Sequence, residues 1–128
     1  METNNVVLLR GTLSSDPVVR ELPSGDLVTQ VELTTRVDGR AISVPVAVHR
    51  TPVTLGAGDV VVVTGHVHRR FFRTGGVTQS RTEVIAHEFV KATRARTVER
   101  LIDGLLRAVS AGQTSRRRSN SEGIRLDM

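Results

Sequence analysis

Before Lys91 the chain is dominated by alternating apolar and polar residues, the period-two signature of strands that bury one face. Residues 5–13 place Val7, Leu9, Gly11 and Leu13 on a common side. A glycine inside such a run predicts a bulge or a close approach of another backbone, the device that bends a sheet towards closure. Ser14-Ser15-Asp16-Pro17 breaks the pattern, residues 18–22 resume an extended run, and Pro23-Ser24-Gly25-Asp26 reads as a turn. Over residues 27–35, Leu27, Thr29, Val31 and Leu33 alternate with Val28, Gln30, Glu32 and Thr34, which predicts one buried and one wet side. An Asp38-Gly39 turn leads into residues 41–49, where Ile42, Val44, Val46 and Val48 share a face. Pro45 has no N–H to give to a ladder, so this strand is expected to lie at an edge there or to carry a bulge. Residues 51–59 are too short and too rich in Gly and Pro for a substantial helix.

Residues 58–90 predict a long β-hairpin, with a valine-rich first arm and a Thr74-Gly75-Gly76 reversal. Val61, Val63, Gly65 and Val67 are expected to face a core. Val62, Thr64, His66, His68, Arg70 and Phe72 share the opposite face, which runs from apolar to basic and ends in an aromatic ring. Cations beside a ring on an exposed sheet suit a phosphate backbone and a stacked base; a solvated strand end with its Phe pair under a neighbour is the alternative. Together these runs suggest a small closed or nearly closed five-stranded barrel.

Beyond the hairpin the period changes. Val98, Leu101, Ile102, Leu105, Leu106 and Val109 recur at the spacing of an amphipathic helix ending near Gly112. Its apolar stripe must be covered by the barrel or by a second copy of the chain. Residues 113–128 carry Arg116-Arg117-Arg118 and almost nothing apolar before Ile124, which predicts a basic, disordered tail. The expected domain plan is a nucleic-acid-binding barrel over 1–92, the helix over 93–112 and the tail over 113–128.

Composition narrows the choice of chemistry. With 3 Phe and no Trp or Tyr, the core must be aliphatic, and with no Cys there are neither disulfides, nor thiolate catalysis, nor cysteine-ligated zinc. No signal-peptide pattern and no apolar run of membrane-spanning length is visible, so a cytoplasmic setting without membrane contact is expected. The net charge of +5 is unevenly spread: residues 66–96 hold seven basic side chains against two acidic ones, and the tail is basic too. Such asymmetry favours a polyanionic partner.

With these residues in place the chain resembles the bacterial single-stranded DNA-binding proteins. The resemblance is carried by Val7 through Pro17 with Arg20, a strand-Gly-x-Leu-x-x-Asp-Pro-x-x-Arg opening, then by Pro23-Ser24-Gly25-Asp26, by Gly58 through Val67, by Arg70 and Phe72, and by Thr82-Glu83-Val84. It covers about residues 5–92 and leaves the helix and tail outside. The resemblance implies an OB fold, a five-stranded Greek-key barrel, assembled as a homotetramer (a dimer being the alternative) that wraps single-stranded DNA without reading its sequence. It implies stacking platforms as well, of which Phe72 alone is retained on this hairpin strand, with Arg70 and His68 beside it. Where the family commonly carries Trp, this chain has Arg36 to Arg40, Ser43 and His49. The acidic, Pro-Phe-terminated tip is replaced by a basic tail, so the chain looks like a divergent paralogue.

The leading expectation is a non-enzymatic binder of single-stranded DNA in replication, recombination or repair. Phe72 would stack a base, His49, His66, His68 and Arg70 would line the groove, and Arg40, Arg50, Arg69, Arg73 and Arg81 would meet phosphates. Lost platforms should make binding weaker and more dependent on salt. An OB-fold interaction module binding protein partners through residues 94–111, with vestigial DNA binding, is the second reading, and RNA binding is the third. No cofactor is expected. His66-x-His68 supplies two metal-type ligands with no acid on the hairpin to complete a site, no phosphate-cradling glycine loop joins a helix, and Asp16-Pro17 reads as a structural break. An enzyme is therefore not expected.

Overall fold

The computed structural model describes residues 3–49 and 53–111. Arg50 and the predicted tail at 113–128 lie outside the described residues. The chain forms strands β1 (Val7–Leu13), β2 (Val18–Glu21), β3 (Leu27–Val37), β4 (Arg40–His49), β5 (Val60–Thr74) and β6 (Val77–Lys91), followed by helix α1 (Ala95–Ser110).

The sheet runs β1-β5-β6-β4-β3-β2 and closes on itself where β1 also pairs with β3, Thr12 opposite Thr34 and Leu13 opposite Leu33. Five strands therefore make a closed barrel of OB type, and β2 follows β1 along the same edge of β3 after the Ser14–Pro17 break. Every pairing is antiparallel except β4 with β6, which is parallel and short: Val46 opposite Val84, Ala47 opposite Ile85. Pro45 sits one residue before that pairing begins, opposite Glu32 of β3, so its missing N–H costs no ladder bond on the β6 side. This is the edge position that the sequence predicts. Both predicted two-residue reversals are present, at Asp38-Gly39 and Gly75-Gly76, each with both central residues at positive φ.

The core is aliphatic: Leu13, Val31, Leu33, Val46, Val48, Val61, Val63 and Val84 form one buried cluster, with Leu9, Val44 and Phe89 packed against it. Closure depends on two close backbone approaches. A Cβ on Gly11 would come within 2.5 Å of the Thr34 carbonyl, at the corner where β1 turns from β5 towards β3. A Cβ on Gly65 would collide with the Ile85 carbonyl, beside a bulge in the β5–β6 ladder. Asp16 is structural: its Oδ1 accepts the Ala57 N–H at 2.9 Å and ties the break to the loop before β5.

Burial departs from the expected pattern at the start of β3, where Leu27 is exposed and Val28 buried, and again in β5. Val62 and Thr64, expected on the face shared with His66 and Arg70, are buried at 1% and 6% exposure. They point away from the core cluster, on the outer side of β5 where α1 lies against β5 and β6 and buries its own Val98. Conversely Val67, expected in the core, is 44% exposed, because the hairpin has by then run past the barrel. The helix covers its stripe unevenly. Leu101, Ile102 and Leu105 are half-buried, whereas Leu106 and Val109 are exposed.

Candidate nucleic-acid interface

The outer face shared by β4, β6 and β5 is fixed by the inward residues of each strand. Val44, Val46 and Val48 point into the barrel, so Ser43, Ala47 and His49 point out. Val61 and Val63 point in, so His66, His68, Arg70 and Phe72 follow Val62 and Thr64 outward. On this face the Arg70 guanidinium stands 5.2 Å from the centroid of the Phe72 ring. A cation there is worth about 0.5–1 kcal/mol to the ring at an exposed site. The same guanidinium approaches the buried carboxylate of Glu83, with Nε 3.6 Å from Oε2. That distance is too long for a hydrogen bond, and the Arg70 Nε–H is buried without a partner. Arg70 is thus held between an acid and a ring.

A second carboxylate sits nearby. Glu32 of β3 accepts from Arg81 at 3.1 Å and from the Ser43 hydroxyl at 2.8 Å. Arg70, expected to line the groove, and Arg81, expected to meet a phosphate, are therefore already paired with acids of the chain's own sheet. The Arg81 pair is about 40% exposed at both ends, and such pairs contribute roughly 0–1 kcal/mol. A phosphate competes with them cheaply.

The upper part of the face is a histidine patch. In the β5–β6 ladder Gly65 stands opposite Ala86 and Thr64 opposite Glu88, which leaves His87 as the extra, bulged residue of β6. The bulge brings its ring to His66: His66 Nδ1 and His87 Nε2 are 2.8 Å apart, with ring centroids 4.9 Å apart. One nitrogen holds the proton and the other accepts it. Burial holds the His66 imidazole below its usual value of 6.5, and the neighbouring His68 and His49 press in the same direction. His68 follows His66 on the same face of β5, and His49 lies on the outer face of β4 two residues beyond the Ala47–Ile85 pairing, so all 4 histidines of the chain share this face.

The predicted residues divide accordingly. His49, His66, His68, Arg70, Phe72 and Arg81 share the outer face. Arg69 and Arg73 fall on the opposite side of the hairpin with the exposed Phe71, and Arg73 donates to the Gly76 carbonyl at 2.9 Å, closing the turn. Arg40 lies at the β3–β4 reversal, on the side of β4 that carries Ile42 and Val44. The sequence reading missed His87, Glu83 and Glu32. Gly65, a lone glycine in a valine strand, was the available signal for the bulge that places His87. Among the described residues no group of three or more His, Asp or Glu side chains is arranged to hold a metal ion, and no helix is long and apolar enough to cross a membrane. No protein-family model matches the chain, and no curated protein matches it either.

Proposed function

We propose that the protein binds single-stranded DNA without reading its sequence, on the outer face of β4, β6 and β5. The observation that carries this reading is the contact between Arg70 and Phe72: a ring with a cation at 5.2 Å, on an exposed sheet lined by histidines. A flat ring stacks any base, since every base has a π-face, and the neighbouring cations meet the phosphates. The resemblance of residues 5–92 to the bacterial single-stranded DNA-binding proteins supports the same reading, including a homotetrameric or dimeric assembly. With one ring on this face and Arg70 and Arg81 paired to Glu83 and Glu32, binding depends more on phosphate contacts than on stacking, and falls steeply with salt.

Fluorescence anisotropy with a labelled oligo-dT, against duplex DNA and matched RNA as competitors, tests this. Binding that prefers the single strand and weakens in Phe72→Ala and Arg70→Ala supports the assignment. Equal affinity for duplex, or no change in either variant, sinks it. One observation favours the interaction-module reading: the exposed Leu106 and Val109 at the end of α1. A chain ending before α1 that keeps oligonucleotide affinity but loses self-association would assign the two activities to separate elements.

A further inference from the structure

We propose that His49, His66, His68 and His87 form one proton-linked phosphate site, in which a phosphodiester of the bound strand and a proton from solvent bind together. The inference deepens the single-strand reading and rests on it for the identity of the ligand. Its basis is geometric. The chain's 4 histidines lie on three strands, yet His66 and His87 touch, His68 follows His66 on the same face of β5, and His49 lies on the outer face of β4 two residues beyond the Ala47–Ile85 pairing. The bulge lets Ala86 and Phe89 both pack against the core and leaves His87 outside it, where its ring meets that of His66 at 2.8 Å.

The chemistry follows from that contact. In the neutral pair one proton lies between His66 Nδ1 and His87 Nε2, and each ring has one further nitrogen. Where His66 Nδ1 donates to His87 Nε2, the His66 Nε2 lacks a proton. Taking a proton from solvent there makes the pair an imidazolium and an imidazole sharing a charge-assisted bond, and turns an acceptor into a donor for a phosphate oxygen. Burial and the presence of His68 and His49 oppose that charge in the empty protein. A phosphate beside the patch supplies the missing countercharge, so phosphate and proton each strengthen the other's binding.

Among the described residues the surrounding charges leave this role to the histidines. On β4 the residue at this level is His49. On β6 Glu83 is paired with Arg70 of β5, and Glu88 stands exposed opposite the buried Thr64. On β3 Glu32 is paired with Arg81. On β1 the charged residue is Arg10, opposite Val62. The charges of α1, namely Arg96, Glu99, Arg100, Asp103 and Arg107, are all exposed. Arginines cannot release a proton in this range, so they give affinity without pH dependence.

The test is oligo-dT affinity at constant ionic strength, in the presence of EDTA, from about pH 7.5 to 5.5, for the full chain and for His66→Gln/His87→Gln. Each linked proton changes affinity by up to about tenfold per pH unit. The expected result is a rise of several-fold per unit as pH falls, reduced to near flatness in the double variant. An equal slope in both proteins overturns the proposal while leaving the single-strand reading intact. Imidazole NMR titrations of the unmodified protein with and without inorganic polyphosphate provide a second readout that needs no variant to fold. The titration midpoint of His66 should move upward with the polyanion, and an unchanged midpoint overturns the proposal. If oligonucleotide binds at no pH, the single-strand reading fails, and the polyphosphate titration alone decides whether the patch is a phosphate site.

Discussion

Strand β5 is two strands in one. From Val61 to Gly65 every residue is buried, whichever face it points to; from Val67 to Thr74 only Arg70 and Phe72 are even half-buried. The backbone and the pairing with β6 continue through both halves. What changes is what stands on either side. In the buried half the residues are three valines, a threonine and a glycine. Where the hairpin projects, the same ladder carries histidines, arginines and rings. The structural and the candidate binding functions of this chain are thus separated along one strand, and Gly65 marks the boundary.

The largest test of that boundary is Gly65→Val. Its new Cβ meets the Ile85 carbonyl, a backbone atom that can move only by undoing the bulge. A loss of about 3 kcal/mol or more in urea unfolding is expected, and a variant of unchanged stability would show that the bulge is dispensable. Next comes a matched pair on one face of the strand. Val63→Ala, at a fully buried site, should cost about 2 kcal/mol through lost contacts and a residual cavity. Val67→Ala, two pleats further on and 44% exposed, should stay within about 0.5 kcal/mol. Equal effects would refute the division. Phe72→Ala should reverse the pattern, leaving the melting temperature nearly unchanged while weakening oligonucleotide binding by about 1–3 kcal/mol.

The smallest expected effect is a slope. Because the folded His66 is held below the usual 6.5, the unfolded chain binds a proton that the folded chain resists in the interval between. Stability is therefore complete above pH 6.5 and is lost as pH falls through the folded value. Thermal unfolding across that range should show this decline in the unmodified protein and a shallower one in His66→Gln.

Much of the barrel was legible because its determinants are local. The Asp38-Gly39 and Gly75-Gly76 reversals, the alternation in β3 and β4, and the edge position of Pro45 depend on neighbours within a few residues. The rest depends on partners distant in sequence. Alternation gave the correct outward side for Val62 and Thr64 but could not show that this side is buried there, since burial depends on what packs against it from elsewhere in the chain. It placed His66 and His68 together but not His87, because one extra residue in β6 reverses the facing of everything beyond it. Arg70 and Arg81 were read as free cations because their acids, Glu83 and Glu32, become neighbours only after β6 lies against β5 and β4.

The manner of closure also sets an order of events for a chain made from its N-terminus. β3 and β4 are joined by a two-residue turn and can pair as soon as both exist, whereas β1 must wait for β5, whose Gly65 stands opposite Val7. Through that interval the apolar face of β1 has only its short contact with β3 to cover it. The barrel is thus assembled from a fast local hairpin and a slow long-range seam, and the seam is where nascent chains would most readily pair with the wrong strand.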